Sequence, residues 1–484
     1  MFHHHLIRTV AYEAQLKSDR AELHRRIATA IESRDPAGAD ENAALIAEHL
    51  EAGSDLHGAF GWHMRAATWA RDRDIAAARL SWERARKIAD TFPAEDPNRA
   101  AMRIAPRTML CATAYRVHEH ATGDRFDELR QLCAAAGDKA SLAIAMAGVV
   151  MDFALQARTR EASRLASEAM ALIESIGDAS LTVGLSRSSI YAKLEHTEYG
   201  EALRLSQRVI DLADGDPSKG NFMIGSPLAL AFTQRALARY HLGRPGWRDD
   251  LRHGLAMARS SDPYSYATAA TYVYLVGIAY GVLTADDRAL HETEDALRVA
   301  ERSGDDFALR VARMTLGVAL LHRKTAPEHD RGQQMLAKVM DVFLRREGAL
   351  GELPLVNVYL ARERARRGDL DGAIPLIRAT ADHRFLDGRL LAWGVPATGV
   401  LVETLLERGA DGDAAEAEAA IERLATAATD DGLATRDILL LRLRALLARA
   451  HGDAAAYAHF RDRYRDMARS LGFEGHIAWA EAMP

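Results

Sequence analysis

An all-α fold, a right-handed solenoid of paired helices, is what this 484-residue sequence predicts. Three observations predict it. An amphipathic segment returns every 40–46 residues, apolar side chains within it follow a helical stripe, and Gly/Asp turn chemistry separates one segment from the next. The segments begin near Glu161, Glu201, Trp247, Arg288, Gly332, Ala373, Ala415 and Ala456. Leu165, Ala169, Leu172, Ile173 and Ile176 fall on one face of the first, and Leu370, Ile374 and Ile377 mark another. Strand-like alternation is missing, and β-branched residues are sparse.

The breaks carry helix punctuation. Ser303-Gly304-Asp305-Asp306 offers a glycine for a left-handed helix end and then an aspartate cap. Asp262-Pro263 is a cap followed by proline at the first helical position. Short turns of the same kind are expected at 367–373 and 450–453. A helical hairpin has too little interior to fold alone, so neighbours must stack, and abundant alanine lets them approach closely. The period exceeds the roughly 34 residues of a tetratricopeptide unit, so the hairpins are tetratricopeptide-like with longer helices or loops. Residues 35–484 are read as this solenoid, and residues 1–34 stand apart from it. One interruption, 214–227, holds three glycines and two prolines. It reads as a long surface loop, with a hinge or a ligand-facing loop as the other reading.

Composition narrows the function. Lys and Arg number 62 against 68 Asp and Glu, a formal charge of −6. That balance argues against nucleic acid, which needs a basic face to displace counterions. Two cysteines, Cys111 and Cys133, exclude a disulfide scaffold and a thiolate zinc site. The opening lacks a charged segment followed by an apolar one, so a cytoplasmic location is expected. Pro263 to Ala285 is free of charge and long enough to span a bilayer, but its five tyrosines, three threonines and two glycines suit a buried helix better.

The first thirty residues read differently. Phe2, His4, Leu6, Ile7, Arg8 and Tyr12, followed by Arg20 and His24, form a phrase. It resembles the end of the winged-helix segment in large bacterial signal-transduction ATPases, with His3 and His5 departing from the arginine and proline common there. Further phrases at 41–50, 61–70, 76–85 and 98–107, and Leu471 to His476 at the close, extend the likeness over essentially the whole chain. The chain is similar to the C-terminal repeat part of actinobacterial, mycobacterial-type proteins that carry a class III adenylate/guanylate cyclase domain and an ATPase domain. The resemblance implies that residues 1–34 are the remnant of the winged-helix end. It implies too that any cyclase or ATPase chemistry lies upstream.

No Gly-Lys pair occurs, so a phosphate-cradling G-x-x-x-x-G-K-[ST] loop is missing, as are G-x-G-x-x-G, G-x-S-x-G and H-E-x-x-H. Catalysis, cofactors and metal are therefore not expected from this chain. His118 and His120 flank Glu119, but positions two apart on a helix face different ways, so solvated side chains explain them better than a metal. Asp286-Asp287, Asp305-Asp306 and Asp430-Asp431 fit helix capping rather than paired-carboxylate chemistry. Arg362, Arg364, Arg366 and Arg367 read as a solvated helix face.

The most suggestive segment holds Tyr264, Tyr266, Tyr272, Tyr274 and Tyr280 with Gly277 and Gly281. Tyrosine joins a large contact area to a hydroxyl, which suits both core packing and binding. Tyr266, Tyr272 and Tyr274 are the candidate lining of a concave groove, and Arg103 and Arg107 are further candidate partner-binding residues. The expected function is a non-catalytic sensor or scaffold that binds a protein, a peptide or a small effector in signal transduction. No membrane partner is expected, and a homodimer is left open. Two alternatives stand beside it: the regulatory tail of a cyclase or ATPase encoded upstream, and the effector-binding part of a transcriptional regulator.

Overall fold

The computed structural model describes residue 12 and residues 14–71, 73–117, 124–222, 225–346, 352–429 and 432–484. The architecture is all-α, with successive helices packed against one another along the chain. It divides into two compact units, Met1–Val149 and Val150–Pro484.

In the first unit the helix Lys17–Arg34 packs on Ala43–Ala52, which packs on Leu56–Ala70, and Ile75–Thr91 and Arg99–Ala112 follow. Small side chains set the close approach: Ala59, Ala67, Ala78 and Ala89 are wholly buried. Cys111 and Cys133 are free and buried, and burial pushes both thiols up to about 11, so they remain protonated.

In the second unit the expected repeating helices stand at Thr159–Ile176, Tyr199–Ala213, Trp247–Arg259, Asp287–Ser303, Ala326–Arg346, Leu370–Asp382, Asp413–Thr426 and Ala454–Leu471. Their punctuation is the one the sequence announces. Gly304 is left-handed at φ 71°, and the Asp305 and Asp286 carboxylates accept from the backbone N–H of Ala308 and Ala289. Asp262, Asp369 and Asp453 cap in the same way. One helix begins earlier than Gly332, at Ala326, because Thr325 and Glu328 form a reciprocal capping box. The Thr325 N–H donates to Glu328 Oε2, and the Glu328 N–H donates to Thr325 Oγ1. His118–His120 and Asp430–Asp431 lie outside the described residues.

Two features depart from plain hairpins. Phe385–Leu386 and Arg389–Leu390 form a small antiparallel ladder closed by Asp387-Gly388, both at positive φ, 48° and 78°. Asp-Gly is the pair that such a tight turn demands, and this was the signal available in the sequence. The tyrosine segment is α-helical over Pro263–Ala270, opens into a π turn over Thr271–Val276, and closes at Gly277–Ala279. Among the described residues no helix is long and apolar enough to cross a membrane.

The second unit also makes contacts that an open stack of hairpins does not. Thr197 Oγ1 donates to the Leu390 carbonyl (2.6 Å), His241 Nδ1 meets Thr435 Oγ1 (2.8 Å), and the His476 N–H donates to the Gly281 carbonyl (3.0 Å). Each joins residues about 195 positions apart, which is four to five repeats. One superhelical turn thus closes on itself, and its concave side becomes an interior.

Candidate functional site

Two chambers occupy that interior. The first is walled by Tyr191, Tyr199, Tyr272, Tyr280, Trp393 and Phe307, with Leu155, Leu237, Leu275 and Val311 between them. It holds about 810 Å³ free of atoms, solvent at its mouth included. The π turn positions the tyrosines. Two α turns take about 7.2 residues and a π turn takes one more, so residues eight apart fall on one side. Tyr272 and Tyr280 accordingly both face the chamber. Tyr266 and Tyr274 both face the next helix, where their hydroxyls donate to Asp295 (3.0 Å) and Glu292 (2.8 Å).

The polar part of the chamber is sparse and buried. Glu195 is 7% exposed and the Glu352 Oε2 atom is out of reach of solvent. Burial pushes the Glu195 carboxyl up to about 8, although the Arg384 guanidinium and a hydrogen bond with Tyr191 both act to lower it. Burial also raises Glu352, with the charge on Arg310 acting against it. His241, stacked on Tyr199 at 4.1 Å, is pushed down to about 3 by burial and stays neutral. Thr268 Oγ1 and Glu352 Oε2 have no hydrogen-bond partner among the described residues, an expensive state for buried polar atoms in an apolar wall. Trp393 holds a left-handed backbone, φ 67°, and its N–H donates to the Tyr280 hydroxyl (2.9 Å). Strain of this sort in a bulky residue persists only where its surroundings impose it.

The second chamber, about 740 Å³ on the same measure, lies on the other side of Tyr280 and Trp393 and is walled by Tyr359, Trp479, Leu355, Val358, Val400 and Leu439. Among the described residues no group of three His, Cys, Asp or Glu side chains is placed to hold a metal ion.

Of the residues singled out in the sequence, Tyr272 lines the first chamber, while Tyr266 and Tyr274 belong to a helix–helix contact. Arg103 and Arg107 sit in the first unit, both bonded to Asp90 and Glu128. Burial would raise the Asp90 carboxyl, yet these guanidiniums hold it below the ordinary range. Tyr12, Arg20 and His24 come together: Arg20 lies over the Tyr12 ring, and the Tyr12 hydroxyl meets His24 Nε2 at 2.9 Å. Phe2, His4 and Arg8 lie outside the described residues. Of the arginine run, the exposed Arg364, Arg366 and Arg367 pair with Asp369, the buried Glu363 and Asp330. In the 214–227 loop, Gly220 and Phe222 lie directly against Gly184.

The sequence reading missed Glu195, Tyr191, Tyr199, Glu352 and Trp393. No local signal marked them: Glu195 follows Lys193 and Leu194 on a helix that also carries Arg187 and several serines.

No family model and no curated protein matches the chain. Among solved structures, a human IFIT1 dimer with m7Gppp-AAAA is similar at 12% identity, covering 93% of this chain and 95% of that one, with a TM-score of 0.36. A circular tandem repeat protein with novel repeat topology is similar at 15% identity, covering 95% and 91%, with a TM-score of 0.13.

Proposed function

We propose that this helical-repeat protein is a non-catalytic sensor whose effector is a small, largely apolar molecule held in the first chamber. The supporting observation is a largely apolar chamber bordered by tyrosine rings, in whose lining Thr268 Oγ1 and Glu352 Oε2 have unmet hydrogen-bonding capacity. Small-molecule sites combine mostly apolar walls with a few placed polar groups in this way. A chamber of this size, walled on most sides, suits a small effector better than a protein or peptide, which needs a long open groove. Glu195, held largely protonated at neutral pH, can donate a hydrogen bond to a neutral ligand at no cost in buried charge.

Filling the chamber tests this. Neutral aromatic and alicyclic compounds that raise the melting temperature of the wild type should lose that effect on Leu275→Trp. Compounds that stabilise both proteins equally, or none that stabilise either, would refute the assignment.

The role in signal transduction, and the second reading as the regulatory tail of a cyclase or ATPase, draw support from the winged-helix-like phrase. Its residues Tyr12, Arg20 and His24 are joined in the structure. Cyclic-nucleotide or ATP turnover by a longer chain that changes with the effector would bear out the second reading, and turnover indifferent to it would count against it.

A further inference from the structure

The lining of the second chamber contains an asymmetry in its charges. His322 Nε2 is bonded to the Tyr359 hydroxyl (3.0 Å), His476 to Tyr464 (2.9 Å) and to the Tyr280 carbonyl (3.1 Å), and Thr435 to His241. Thr380 Oγ1 donates to the Leu376 carbonyl, and the Arg442 guanidinium is committed to Glu403. One charged group of the lining remains: Arg362, half-buried, has no hydrogen bond or ion pair among the described residues. Its neighbours on the arginine run are all paired, so within this lining it is the positive charge that no carboxylate holds, facing a wall that is part polar and part apolar.

Around it stand Trp393, Trp479, Leu355, Val358 and Val400. A guanidinium without a carboxylate, set beside these apolar side chains, is complementary to an anion attached to an apolar body. One guanidinium balances one negative charge. A phosphate dianion calls for a second free cation, and Arg442 is already neutralised by Glu403. His322 offers none, since burial holds it neutral, reinforced by the charges of Arg362 and His329.

We propose that the second chamber is a binding site for the carboxylate of an apolar organic acid, with Arg362 as its charged anchor. The acid's apolar part packs against Trp393, Trp479 and the aliphatic wall. The Tyr280–Trp393 pair is shared by both chambers, so acid in one chamber touches the wall of the other. The site does not depend on the effector proposed above.

Octanoate and octan-1-ol, which share a chain and differ in charge, are the probes, titrated calorimetrically into the full chain. The wild type should bind octanoate at least tenfold more tightly than octanol. Arg362→Gln should erase that preference by weakening octanoate alone, and Arg362→Lys should restore part of it. Val400→Trp, which fills the chamber and keeps the charge, should abolish octanoate binding, whereas Leu275→Trp in the first chamber should leave it unchanged. Equal affinity of wild type and Arg362→Gln for octanoate, or no octanoate binding by the wild type, would overturn the proposal. If Arg362→Gln does not fold, Arg362→Lys and Val400→Trp decide: unchanged affinity in both refutes it.

Discussion

Glu195 shows how burial decides what a residue is. In an unfolded chain its carboxyl titrates near 4.3; here it is held at about 8. Between those values the folded state binds more protons than the unfolded one, so stability falls as pH rises through that window. Glutamine cannot ionise and removes the slope. Glu195→Gln should therefore match the wild type near pH 4 and exceed it above pH 8, by on the order of 5 kcal/mol at most. Urea denaturation across that range measures the difference, and a constant gap between the two proteins would contradict the assignment. Nothing in the linear sequence separates Glu195 from the many solvated glutamates, because only the contact with Tyr191 and the closure of the chamber desolvate it.

At the scale of elements, magnitudes separate what holds the helices from what marks their spacing. Pairs such as Arg323–Asp287, Arg331–Glu294, Arg367–Asp330 and Arg408–Asp371 recur at 36 or 37 residues and tie one hairpin to the next. They are largely exposed, and such pairs contribute about 0–1 kcal/mol each. Arg367→Ala should accordingly change the unfolding free energy by less than about 0.5 kcal/mol. The closing helix Glu474–Glu481 is more sensitive. It docks where Gly281 turns at φ 65°, and a Cβ there would meet the Trp479 ring at 2.5 Å. Gly281→Ala should cost about 2 kcal/mol or more and speed hydrogen exchange in Glu474–Glu481. Caps, turns and stripes were legible because they rest on neighbouring residues: Asp262 before Pro263, Gly304 before Asp305. The π turn was not, since its extra residue shows only in how tyrosines eight apart line up.

For the Val150–Pro484 unit as a whole, the closing contacts add a constraint that stacking alone does not supply. In an ordinary solenoid each repeat touches its neighbours alone, and stability is a sum along the array. Here Glu195, His241 and Tyr280 reach 392, 435 and 476. Tyr280→Phe removes the hydroxyl that accepts the Trp393 N–H and leaves that amide unmet. The loss should be about 1–3 kcal/mol, with faster exchange at the Trp393 amide. Exchange unchanged at that amide would show that the turn does not close there.

The sequence by itself determined the helices, their caps and a spacing near 42 residues, since these depend on periodicity and on chemistry within a few positions along the chain. It also located the tyrosine segment. Only the tertiary structure decided which tyrosines face inward and that Glu195, Trp393 and Arg362 border the interior. Those placements arise from the angle between successive hairpins, and that angle accumulates over four to five repeats before distant residues meet. A small change per repeat would leave every local signal intact and the chambers open.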